Sequence, residues 1–189
     1  MPNQIQLKIT ERTRFAEGHL FGDTGAYERL VGRAYFNVDP QEPAQEGIVD
    51  LDKVSLNNQG LVEFYSDLFI LKPISPELGN GRLLFGYGNR GNKRELQFFN
   101  DAPASNDPNT IEDAGNGFLM RRGYSVVWAA WEGDLLPGDG RMLLDVPVAT
   151  ENGHPITGLV RSEFIADKNG VTTVPVSGMV STRCYPVVS

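Results

Sequence analysis

The residues best placed to do chemistry form one short run. Gly86, Tyr87 and Gly88 end an apolar segment that begins at Arg82, and the turn Asn89, Arg90, Gly91, Asn92 follows before helix-forming sequence begins. A strand that runs into a glycine-rich turn and then a helix presents backbone N–H groups to an anion or a developing oxyanion. Such a turn works with a nucleophile, and none stands in a recognisable setting. Ser177 has Gly178 beside it but Pro175 where the leading glycine of Gly-x-Ser-x-Gly belongs, and Ser105 lies in Ala-Ser-Asn without glycine flanks. Cys184, the only cysteine, stands in irregular sequence near the chain end, where a free buried thiol is the commoner fate.

The same run spells Gly-x-Gly-x-x-Gly from Gly86 to Gly91, the dinucleotide fingerprint. In that fold a continuous helix follows the last glycine, and an acid ends the next strand about 20 residues on. Here Pro103 and Pro108 interrupt, and the first acids after the next strand are Glu132 and Asp134, so no dinucleotide cofactor is expected. Glu132 and Asp134, with Asp139, cluster where site loops of α/β folds sit, and they are candidate site acids; the alternative is a solvated acidic turn. The two histidines, His19 and His154, both lie beside turn residues and face solvent or cap a turn. Neither has a second His, Cys or acid at ligand spacing, so no metal site is expected.

These residues need elements to position them. Ile5, Leu7 and Ile9 alternate with polar residues, and so, less cleanly, do residues 30–38 and 49–56, which predicts an antiparallel β layer. Residues 61–71 are a strand stopped by Lys72-Pro73, and the turn-rich stretch 74–81 has hairpin length, so this strand is expected to pair antiparallel with residues 83–87. Residues 94–99 suit a short helix and 100–108 a loop. Thr110 is the expected N-cap of a helix reaching Arg121-Arg122-Gly123, weakened by Gly115 and Gly117. Residues 124–131 are apolar on both faces, the mark of a parallel strand covered by helices. Further short strands are expected at 142–149, 156–166 and 171–176.

With 24 acidic against 17 basic residues and a net charge of -7, the surface disfavours nucleic acid and anionic lipid. A lone cysteine and an N-terminus without an apolar core fit a cytoplasmic protein with no membrane segment.

Several stretches resemble the N-terminal portion of the bacterial α/β-hydrolase domain-containing proteins, a family of esterase-like enzymes longer than this chain. They are FGDTGAYERLVG (21–32), GLVEFYSDLFILKP (60–73), NRGNK (89–93), FFNDAP (98–103), DAGNGFLMRRGYSVVWAAWEGD (113–134) and PITGLVRSEF (155–164). The resemblance implies an α/β fold: a partial hydrolase-like sheet (oxyanion-loop strand, helix, parallel strand) at 61–134, a β-rich opening segment at 1–60 and a β-rich insertion at 135–189. It implies that Asn89, Arg90, Gly91 and Asn92 form an oxyanion loop, with Asn-Arg-Gly in place of the usual His-Gly. It further implies that the serine elbow follows in a downstream catalytic half of the same polypeptide, acting on a small ester or acyl substrate, so that this portion alone is inactive. The alternative from the residues themselves is a stand-alone β-rich binding or pseudoenzyme domain that holds a small anion at the 89–93 turn.

Overall fold

The computed structural model describes residues 4–159 and 169–170. They build one six-stranded mixed sheet in the order β1-β2-β3-β5-β4, with β6 pairing the other half of β3. Three long strands, β1 (Gln4–Arg14), β2 (Tyr27–Val38) and β3 (Val62–Pro73), form an antiparallel meander. β4 (Leu83–Gly86) and β5 (Ser125–Ala129) pair parallel, and β5 runs antiparallel to β3. β6 (Leu144–Asp145) is short, and β7 (Thr150–Glu151) with β8 (His154–Pro155) makes a separate hairpin.

Alternation decides the faces. Tyr27, Phe69, Leu71, Val126 and Trp128 fall on one side and are buried under three short helices, α1 (Glu95–Asn100), α2 (Ile111–Ala114) and α3 (Phe118–Arg121). Each large side chain removed from water here contributes about 1.5–3 kcal/mol. Buried Asn100 binds the helices to one another, donating to the Ala114 carbonyl at 2.9 Å and accepting from the Leu119 amide at 3.0 Å. The Tyr27 hydroxyl donates to the carbonyls of Met120 and Tyr124, and burial raises its phenol well above the ordinary value. On the opposite side Leu30, Ala34 and Leu68 are buried in the centre, while Ile5, Leu7 and Ile9 of β1 and Leu83 and Phe85 of β4 are exposed at the two edges. A bulge between Ile9 and Glu11 brings β1 close to Gly32, where a Cβ would lie 2.9 Å from the Ile9 Cα.

Several expectations need correcting. The fold is not the α/β-hydrolase-like α/β class: it is a mostly β, mixed sheet with one parallel pair and three short helices. The physical reason is the glycine pair at 115 and 117. Both adopt positive φ, so the expected helix over 110–122 breaks into two single turns on one face, and among the described residues no long helix covers the sheet. The Thr110 cap is present, with its hydroxyl and the Asp113 carboxylate forming a reciprocal box. β3 and β4 are not a hairpin, because β5 lies between them. Apolar on both faces, β5 is best buried with a neighbour on each side, whereas short β4 tolerates the edge. Residues 49–56 form a 3₁₀ turn, Leu51–Lys53, rather than a strand. The expected strand at 142–149 shrinks to β6, and the one at 171–176 and most of that at 156–166 lie outside the described residues.

Candidate functional site

β4 reaches the site through glycines used for close approach. At Gly86 a Cβ would stand 2.5 Å from the Trp128 Nε1 and 2.7 Å from the Glu95 carboxyl carbon, so the strand end is pressed against the indole of β5. That indole N–H donates to the Glu95 carboxylate, which also accepts the Arg94 amide at 3.0 Å. Gly88 leaves room for the Asn92 carbonyl to fold over it. The turn then passes through Arg90 at φ 56 and Gly91 at φ 73. The left-handed region costs a non-glycine residue about 1 kcal/mol.

What holds Arg90 there is the segment after β5. Its backbone N–H donates to the Glu132 carboxylate. Its guanidinium contacts Asp134 at 3.1 and 3.2 Å and Glu132 at 3.4 Å. Neighbouring Trp131 stacks on Tyr87 at 4.8 Å and donates from its indole to the Gly88 carbonyl. The two candidate acids therefore do meet the candidate turn, 42 and 44 residues away in sequence, but as the counter-charges that fasten it. Asp139 is elsewhere, exposed on the next turn and paired with Arg141.

The hydrogen bonds sort the four turn residues. The Arg90 amide is taken by Glu132, and the Asn92 amide by the Asn89 carbonyl at 3.2 Å. The Asn92 side chain closes the turn too, donating to that carbonyl and accepting from Asn106. The amides of Asn89 and Gly91 donate to no acceptor among the described residues. Asn89 lines a cleft of about 490 Å³ together with Tyr87, Arg90, Arg94, Phe98 and Arg141, and Gly91 lies beside it, packed against Leu135 and Met142. This cleft lies at the C-terminal end of the parallel pair β4 and β5, where open sheets place ligand sites. Two backbone donors without an acceptor among the described residues, beside the guanidinium groups of Arg90, Arg94 and Arg141, are chemistry suited to binding an anion.

The other sequence candidates lie apart. His19 is exposed and packs edge-on against Phe21, and His154 is exposed in β8. Ser105 Oγ accepts the Asp107 amide in a loop turn. Ser177 and Cys184 lie outside the described residues. Among the described residues no three His, Cys, Asp or Glu side chains gather to hold a metal ion, and no helix is long and apolar enough to cross a membrane.

Sequence reasoning missed Arg29 and took in Lys93 only as the end of the candidate anion turn at 89–93. Both are buried, each only 6% exposed. The Lys93 ammonium donates to the Asn106 and Gly140 carbonyls, and desolvation pushes its pKa down to about 8. A lysine closing a polar turn carries no signal in its spacing that it will be buried. Set against known protein families, curated proteins and solved structures, the chain has no match in any of the three.

Proposed function

We propose that this chain supplies the oxyanion-binding turn and part of the substrate cleft of an ester or related acyl hydrolase, and that it needs a nucleophile from outside itself. The observation that carries the reading is the turn at the end of β4 and β5, fastened by Glu132 and Asp134, in which the amides of Asn89 and Gly91 have no acceptor among the described residues and Asn89 lines the cleft. Donors held in place before the reaction stabilise a tetrahedral intermediate, and each is worth about 10²- to 10³-fold in rate. Clamping by Glu132, Asp134 and Trp131 meets the requirement that the donors stay fixed while charge develops. The sequence resemblance of residues 113–134 to hydrolase domains supports acyl transfer as the chemistry, and the aromatic pair Tyr87 and Phe98 gives the cleft an apolar wall suited to an acyl or alcohol group.

The test is turnover. Purified chain is expected to leave p-nitrophenyl acetate at its buffer hydrolysis rate. Ester cleavage that a serine-directed phosphonate abolishes would show a complete active site within these residues and overturn the assignment.

A further inference from the structure

Beside Lys93 the middle stretches of β1, β2 and β3 and the loop residues 106–107 and 140–142 line a second cleft of about 600 Å³. That is ample for a small ligand, since such sites commonly measure about 300–1,000 Å³. Its charge is opposite to that of the protein. Five cationic side chains line it against two carboxylates, Asp67 and Asp107, in a chain of net charge -7.

Two of those cations are incompletely satisfied. Arg29 spends one terminal nitrogen on Glu11 and the other on Asp107, and its buried Nε has no partner among the described residues. A buried donor left unpaired loses its hydration without a replacement bond. Lys93 has three N–H donors and two carbonyl acceptors, with no carboxylate within 4 Å of its ammonium among the described residues. Both cations lie over the Phe69 ring, at 5.1 and 4.9 Å from its centroid, so two like charges share one aromatic partner. The other charged groups at the cleft are already engaged: Arg33 with Asp67, and Arg141 with Asp139. Lys8 remains exposed on β1. The Arg29 charge is met by Glu11 and Asp107, whereas the Lys93 charge has no carboxylate partner among the described residues, and an anion entering the cleft would offset that charge and accept from the Arg29 Nε. Val31, Phe69 and Met142 add apolar wall beside the charges.

We infer that this cleft binds a small organic carboxylate, its anionic head between Lys93 and Arg29 and its apolar body against Phe69 and Met142. The inference is independent of the oxyanion turn, which lies in the neighbouring cleft.

The test is a titration of the ¹⁵N-labelled chain with benzoate, benzamide and inorganic phosphate. Benzoate is expected to saturate, to shift the amide signals of Phe69 and Lys93, and to bind the Lys93→Met variant at least about tenfold more weakly, as loss of a charged hydrogen bond implies. Should that variant not fold, the signal map and the benzamide comparison on wild-type protein decide the matter. Benzamide binding as well as benzoate, phosphate binding as well as benzoate, shifts confined to Asn89 and Gly91, or no saturation by 10 mM benzoate would each overturn the inference.

Discussion

Replacing Lys93 by methionine should remove a pH dependence that the wild-type protein must show. Desolvation holds the folded-state pKa at about 8 against an ordinary value of 10.5. Between those values the unfolded chain binds more protons than the folded one, so stability rises with pH across this window. Integrating the linkage relation for these two pKa values from pH 8 to pH 10 gives a gain of about 2 kcal/mol. Below pH 8 the same ammonium is a burden of about 3 kcal/mol relative to an unperturbed lysine. The assay is urea denaturation of wild type and Lys93→Met at pH 7, 8, 9 and 10, read as the difference between the two at each pH so that other titrations cancel. The wild type should gain on the variant by about 2 kcal/mol from pH 8 to pH 10. A difference that stays flat over this range would show that Lys93 titrates normally, and the reasoning from its burial would be wrong.

The remaining predictions concern the turn and the sheet. Gly86→Ala drives a methyl group into the Trp128 indole and should lower stability by about 1–3 kcal/mol in the same assay, with loss of tryptophan fluorescence definition. Glu132→Gln weakens the hold on Arg90, and hydrogen exchange of the bonded Arg90 and Asn92 amides should accelerate by about tenfold while β3 is unchanged, equal to a loss of about 1.4 kcal/mol locally. Glu28 is buried between Arg12 and Lys72, and the Arg12 hydrogen bond first of all holds its carboxyl below the ordinary 4.5. Its contribution is present above that value and is lost as pH falls through the depressed folded-state value, so Glu28→Gln should show a shallower acid unfolding limb below pH 4.5 than wild type.

Local signals in the sequence carried well into the structure, and pairings over distance did not. The alternation at Ile5, Leu7 and Ile9 and the apolar run ending at Lys72-Pro73 are properties of neighbouring residues, and β1 and β3 lie there. The Thr110 cap needs only its partner three residues on. By contrast, the insertion of β5 between β3 and β4 depends on which strand most needs two neighbours, a comparison over 60 residues. The fold class was misjudged for a related reason: Gly115 and Gly117 were legible as weakeners, but that they end helix cover over the sheet depends on how the chain turns back at Asn100. At the site, the turn was legible from its glycines. Its clamp was not, because Arg90 meets Glu132 and Asp134 across 42 and 44 residues. Lys93 is buried by carbonyls 13 and 47 residues away, and a lysine in a polar turn gives no periodic sign of that.

The proposed role rests on two backbone amides, so the most direct measurement follows those two signals. A ¹H–¹⁵N titration of the chain with methylphosphonate, a tetrahedral oxyanion, should shift Asn89 and Gly91 in a saturable way. The Arg90 and Asn92 amides, already bonded to Glu132 and Asn89, should move far less. Saturable shifts elsewhere with Asn89 and Gly91 unmoved would contradict the account and leave the turn a purely structural reversal of the chain.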